Sequence, residues 1–202
     1  MYSITIKAGQ NKHGQPESFE EIFLESGTLL AVVGNTGAGK SRLIQDIEQL
    51  VRGNSISKRT VILRNAEGQD LQGENLLAHL GQSMRFMLDT TVADFISLHN
   101  RCRGRKVPVE EVISLANTIA LEEITPEMHL NLLSGGQTRG LMIADIALIC
   151  DSPIVLIDEI ENAGIDKVKG FQALLQKEKL LIIVTHDPHT ALMASQRIVQ
   201  IG

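Results

Sequence analysis

The sequence predicts an α/β fold around a mostly parallel sheet, and three observations carry that prediction. Apolar runs at residues 28–33, 154–157 and 180–185 alternate with helix-like segments. Each run ends in polar residues, and ligands in such sheets gather at the carboxyl ends of strands. The first run is followed by a glycine-rich octapeptide, Gly34-Asn35-Thr36-Gly37-Ala38-Gly39-Lys40-Ser41, that opens a helix.

In chain order, residues 2–7 and 19–25 read as strands separated by the polar stretch 9–17, an antiparallel hairpin at the edge of the sheet. Ser26-Gly27 turns the chain into strand 28–33, and the helix after the octapeptide runs to about residue 52, closed by Gly53-Asn54. A short strand follows at 60–63, and a polar loop at 65–74 leads to the run 76–80. Residues 91–96 and 110–120 then have helical spacing with no convincing strand near them, so about 83–133 reads as an inserted helical subdomain. Sheet residues return after the helical run 141–149, and a short helix and a strand at 197–201 finish the chain. The whole, 1–202, reads as one domain with that insertion.

Composition bounds the function. With 43% hydrophobic and 21% charged residues the chain is of ordinary globular composition, and no apolar run approaches the roughly 20 residues of a membrane span. The amino terminus alternates like a strand and shows no basic leader, so the expected location is cytoplasmic. Cys102 and Cys150 have no metal spacing and suit a reducing compartment. A net charge of −5, 3% aromatic residues and no tryptophan give no strong signal for nucleic-acid binding.

The octapeptide is a phosphate cradle. Gly34, Gly37 and Gly39 let bare backbone N–H groups approach oxygens and allow positive φ. The helix that follows adds unpaired N–H donors and a partial positive charge, Lys40 reaches the β and γ phosphates, and the Ser41 hydroxyl ligates magnesium. Asp158, after four apolar residues, resembles the acid that holds magnesium opposite the loop serine in P-loop nucleotidases. Two adjacent carboxylates at a buried strand end repel and lose solvation unless a cation or a proton transfer uses them. Asp158 is therefore assigned to magnesium and Glu159 to general-base activation of water; the plainer alternative is that both cap the next helix.

The set Gly34 to Ser41, Gln82, Leu133-Ser134-Gly135-Gly136-Gln137, Ile154 to Glu159 and Thr185-His186 resembles the ATP-binding cassette (ABC) ATPases in order and spacing. From Lys40 to Gln82 is 42 residues and from Gln82 to Ser134 is 52, room for that family's helical subdomain but not for a coiled-coil arm. The resemblance implies that Gln82 contacts magnesium or the lytic water, that His186 meets the γ phosphate and helps position Glu159, and that Asp166 is the D-loop acid coupling two subunits. Taken alone, a surface Gln and a strand-end His are commonplace, and Ser134 before Gly-Gly-Gln is also a plain helix N-cap. It further implies a head-to-tail homodimer in which Ser134, Gly135, Gly136 and Gln137 of one copy close over ATP held by Asn35, Thr36, Ala38 and the other cradle residues of its twin. Mg2+ is the implied cofactor, and a transmembrane permease is the implied further partner, holding the chain at the inner face of a membrane.

The sequence also departs from the family. Gly140 and Asp145 stand where arginine is usual, and the segment after Glu159 is one residue longer than usual. No aromatic stands near Lys7, where a base-stacking residue is expected; Tyr2, Phe19 and Phe23 are the substitutes at hand. The basic cluster Arg101-Cys102-Arg103-Gly104-Arg105-Lys106 reads as a solvated loop or as a contact for an acidic partner or phosphate. His99, His129 and His189 show no metal spacing. The expected function is an ATP-hydrolysing subunit that energises a membrane transporter; the alternative is a soluble ABC ATPase acting on a protein or nucleic-acid machine.

Overall fold

The computed structural model describes residues 1–11, 13–35, 37–81, 84–158, 164–194 and 197–200. Its centre is a five-stranded, all-parallel sheet of β3 (Leu29–Val33), β6 (Leu77–Leu80), β7 (Ile154–Asp158), β8 (Leu180–Thr185) and β9 (Arg197–Gln200), in the order β6-β7-β8-β3-β9. Alternation along each strand feeds two cores. Leu29 and Ala31, Val155 and Ile157, and Leu181 and Ile183 face one side, whereas Leu30 and Val32, Ile154 and Leu156, and Ile182 and Val184 face the other.

Helix α1 (Lys40–Glu48) covers the second side with Leu43, Ile44 and Ile47. Beside it on that side lie β1 (Ser3–Lys7), β2 (Glu21–Glu25) and β4 (Thr60–Arg64), which contribute Ile4, Ile6, Ile22, Leu24, Val61 and Leu63. The first side is covered by α4 (Gly135–Leu148) and α5 (Lys167–Leu175), and Ala191 of α6 (Pro188–Ala194) joins them. The antiparallel strands are therefore not an edge of the central sheet, as expected, but a separate sheet in the order β2-β1-β4-β5, with β5 at Asp70–Leu71. β1 is enclosed by β2 and β4 on its two hydrogen-bonding edges, and the small sheet stacks on the parallel one through side chains rather than joining its ladder.

Between β6 and α4 lie α2 (Val92–Arg103), α3 (Val109–Ile119) and a 3-10 turn at Leu130–Leu132, packed around Val92, Ile96, Val112, Ala116, Ile124 and Leu130. α4 is the seam. Leu141 and Ala144 face this helical lobe while Ile143, Ile146 and Ala147 face the sheet, so the helix is apolar nearly all round. At Gly140 a β-carbon would lie 2.9 Å from Ala120 Cβ and 3.2 Å from the Ala116 carbonyl oxygen, so α3 and α4 approach too closely for the arginine that is usual there. Asp145, the other departure, is 6% exposed and accepts a 2.7 Å hydrogen bond from His99 Nδ1 of α2.

α1 and α5 depart from expectation. α1 stops at Glu48 because Leu50 takes a positive φ of 44° and Val51 N donates back to the Asp46 carbonyl. α5 has no counterpart in the sequence reading: Gly170 interrupts its helical pattern, yet a β-carbon there would press to 3.3 Å on Ile143 Cδ1 of α4. No helix among the described residues is long and apolar enough to cross a membrane.

Candidate nucleotide site

The cradle joins β3 to α1, as its apolar run and helical spacing require. Gly37 and Gly39 hold φ of 81° and 103°, a backbone region that L side chains rarely adopt. Gly39 stands at the N-cap, with no side-chain cap on α1 and no acidic residue in its first turn. The first N–H groups and the positive end of the helix dipole are therefore uncompensated by the helix's own residues. Lys40 Nζ donates to the carbonyl oxygens of Gly34 at 2.5 Å and Asn35 at 3.1 Å, which brings the ammonium back over the loop. Ser41, the second helical residue, is exposed. Thr36 lies outside the described residues.

Beside the loop is a cavity of about 540 Å³, walled by Gly37, Ala38, Gly39 and Arg42 on one side and by His13, Phe19 and Ile56 on the other. Of the three candidate base-stacking aromatics, Phe19 lines this cavity. Tyr2 instead lines a pocket against the residues before β7 and β8, and Phe23 lies on β2 with 47% exposure. Near Lys7 the backbone itself fills the space. A β-carbon on Gly9 would sit 2.0 Å from the Ser57 carbonyl oxygen, and Gln10 N donates to that same oxygen.

A buried ion network holds the cavity wall to α1. Arg59 donates to Glu17 through Nε at 2.9 Å and Nη2 at 2.5 Å, and through Nη1 to Asp46 at 2.7 Å. Ser57 Oγ adds a 2.7 Å bond to Asp46, and Gly9 N one of 3.1 Å to Glu17. All three charged side chains are at most 5% exposed. The two carboxylates outweigh the cost of burying the guanidinium and raise the Arg59 pKa above its ordinary value. The sequence reading missed this network. Its signal was Asp46, a charge three residues after Leu43 on the buried stripe of α1.

The carboxyl ends of the strands bring the other motifs to one edge. Val33 pairs with Thr185 and Asp158 with Val184, so the cradle, His186 and Asp158 leave neighbouring strands at nearly the same level. Asp158 is half-buried and shares a narrow cleft with Gly81 of the β6 end and with Arg139 and Met142 of α4. His186 is exposed. Asp187 beside it caps α6, accepting from Thr190 Oγ1 at 2.6 Å and from the amides of His189 and Thr190; the hydroxyl bond foremost holds its carboxyl below the usual range. Gln82 and Glu159, assigned to magnesium and to the base, lie outside the described residues. Magnesium favours oxygen ligands, typically one or two carboxylates with phosphate oxygens and waters completing the shell. The hydroxyl of Ser41 and the carboxylate of Asp158 fit that donor chemistry.

Ser134, Gly135, Gly136 and Gln137 form the N-terminus of α4. Gln137 N donates to Ser134 Oγ at 3.2 Å and Ser134 N to Gln137 Oε1 at 2.8 Å, a reciprocal capping box. Gln137 Nε2 also donates to the Glu123 carbonyl at 2.6 Å. Gly136 packs on Gly164, where a β-carbon would meet the Gly164 carbonyl oxygen at 2.4 Å. Asp166, two residues on, caps α5 by accepting from Lys169 N at 3.1 Å, and that bond lowers its pKa. These groups are not gathered at the chain's own cradle: α1 and α4 lie on opposite faces of the parallel sheet.

Comparison with known proteins gives this arrangement its family. A family profile described as ABC transporter matches residues 21–162, which is more than half of the chain. The chain belongs to the ABC transporter ATP-binding family. It is 47% identical, over 97% of its length and 77% of the relative's, to an uncharacterized ABC transporter ATP-binding protein of Methanocaldococcus jannaschii. It is 29% identical to the methionine import ATP-binding protein MetN of Clostridioides difficile, covering 91% of this chain and 61% of that one. Among solved structures, a putative ABC transporter ATP-binding protein of Pyrococcus furiosus superposes with a TM-score of 0.72 at 17% identity over 98% of this chain and 97% of that one, which shows the fold. The chain is thus a P-loop ATPase.

Proposed function

We propose that two copies of this ATPase pair head to tail, each cradle holding an ATP that the α4 N-terminus of the other copy closes over, and that the pair energises a membrane transporter. The observation that carries the pairing is the separation of two glycine-led helix N-termini onto opposite faces of one sheet. One chain can hold a triphosphate with the first, and the second needs a nucleotide from elsewhere. The Ser134 hydroxyl proton and the amides of Gly135 and Gly136 are the donors it would offer.

In this reading Lys40 binds the β and γ phosphates, Phe19 stacks on the base, and Ser41, Asp158 and Gln82 surround a Mg2+ that neutralises phosphate charge. Glu159 takes the proton of the attacking water, His186 orients it, and Asp166 couples the two sites. The chain acts as one domain, 1–202, whose helical subdomain at about 83–133 meets a permease at the inner face of a membrane. Met84, Met87 and Leu88 are 44%, 94% and 45% exposed at the entrance to that subdomain, an apolar surface that suits such a partner. The names of relatives, among them MetN and a lipoprotein-releasing system ATP-binding protein of Protochlamydia amoebophila, support the transport role.

The test is Glu159→Gln. Turnover is expected to fall at least about 100-fold, with ATP retained and a dimer accumulating by light scattering. A variant that hydrolyses ATP at the wild-type rate, or stays monomeric with ATP bound, overturns the reading. Pull-down with the same variant under ATP should recover an integral membrane protein; recovery of ribosomes, DNA or a soluble enzyme alone refutes the transport role.

A further inference from the structure

At the amino ends of β7 and β8, one sheet-length from the cradle, lies a second cavity of about 440 Å³. Since β8 has six residues, that distance is about 20 Å. Tyr2, Arg105, Asp151, Lys177, Glu178 and Lys179 supply its polar wall. Lys179 is only 7% exposed, and its Nζ donates to two neutral acceptors, the carbonyl oxygens of Cys150 at 2.6 Å and Ser152 at 2.9 Å. Those bonds tie Lys179 to the connection between α4 and β7 and use two of the three ammonium protons. No carboxylate among the described residues forms an ion pair with it, although a buried charge ordinarily has one. Burial accordingly lowers its pKa, and Arg103 and Arg105 lower it further, against the attraction of Asp151.

The basic cluster stands at this cavity as a preformed loop. Asn100, 7% exposed, clasps it from beneath: Nδ2 donates to the Val107 carbonyl at 2.9 Å and Val107 N donates to Oδ1 at 3.0 Å. Gly104, with φ of 62°, turns the loop so that Arg105 pairs with Asp151 at the cavity wall. Arg103 donates to the neutral acceptor His99 Nε2 at 3.2 Å and forms no ion pair among the described residues. Cations thus outnumber carboxylates around a cavity whose most buried charged group is itself a cation.

We propose that this cavity is a second anion site that takes a phosphate monoester, with Lys179 at its floor and Lys177 and Arg105 at its sides. It is independent of the nucleotide cradle. The phosphate comes either from a soluble ester or from a lipid headgroup, and the two sources are separable.

The experiment uses the full chain saturated with Mg-ADP, so that the cradle is filled, titrated calorimetrically with glycerol 3-phosphate and, in a second arm, floated with phosphatidic acid vesicles against phosphatidylcholine vesicles. Saturable binding in the first arm identifies a soluble ester; binding to phosphatidic acid vesicles alone identifies a headgroup. Lys179→Met should abolish the binding, and Arg105→Ala/Lys177→Ala, which leaves the Lys179 bonds to Cys150 and Ser152 intact, should weaken it roughly tenfold or more. ADP affinity should be unchanged in the double variant. Binding that never saturates, an adventitious ion only, overturns the proposal, as does binding by the folded double variant equal to the wild type or no binding in either arm.

Discussion

The N-termini of α1 and α4 both follow a glycine-containing motif, and they are finished in opposite ways. α4 caps itself through Ser134 and Gln137, whereas α1 has neither a side-chain cap nor an acidic first turn. Among α1 to α5 this is peculiar to α1: Thr91 caps α2, Asp166 caps α5, and α3 carries Glu110 and Glu111 in its first turn. An uncapped helix start costs about 1 kcal/mol. In α1 that loss leaves the donors open to phosphate, and its support comes from other contacts, the buried stripe Leu43, Ile44 and Ile47 and the ion network of Asp46, Arg59 and Glu17. The uncapped helix end is thus held from its flank, and the self-capped one from its tip.

The contrast can be broken first at the flank. Arg59→Met leaves two buried carboxylates without their cation and should cost about 3 kcal/mol or more of unfolding free energy in urea; a loss under about 1 kcal/mol would show that α1 does not depend on the network. At the tip of α1, Lys40→Ala should weaken ATP binding about 100-fold by calorimetry, near 2.7 kcal/mol, with the melting temperature of the ligand-free chain almost unchanged. Ser134→Ala should do the reverse, costing about 1 kcal/mol of stability while the single chain binds ATP as before.

The smallest effect is electrostatic. The carboxyls of Asp166 and Asp187 are held below their ordinary range by the bonds that cap α5 and α6. Their contribution is therefore complete above the unfolded carboxylate value of about 3.9 and lost as pH falls through the lower folded values. Asp166→Asn, which keeps the cap without the charge, should flatten the acid limb of the stability curve; an unchanged limb would separate that carboxylate from acid unfolding.

The places of the buried strands in the chain were legible because each is a short apolar run bounded by polar residues, as at Leu29–Val33 and Leu180–Thr185, whereas their order across the sheet came only with the structure. α5 was hidden because Gly170 carries a packing requirement imposed by Ile143, which lies far away in sequence. The antiparallel strands were legible one by one, but their membership of a second sheet depends on which edges of β1 are taken. In the site, the cradle could be read from spacing alone because its donors are consecutive backbone amides. The Glu17–Asp46–Arg59 network could not: Asp46 on the buried stripe of α1 signals a partner, but 42 residues separate Arg59 from Glu17 and local sequence does not say which residues meet it.

Local chemistry was enough to place the glycine-rich loop between a strand and a helix, the starts of α1 to α4 and the alternation of strand and helix, because each depends on neighbours within a few residues. Only the tertiary structure decided that Phe19 walls the cavity beside the loop, that α1 and α4 take opposite faces of one sheet, and that Lys179 is buried with no ion-pair partner among the described residues. Those facts depend on which distant segments come to share the same space, and they are settled by packing and by the cost of burying charge rather than by any residue's own preference.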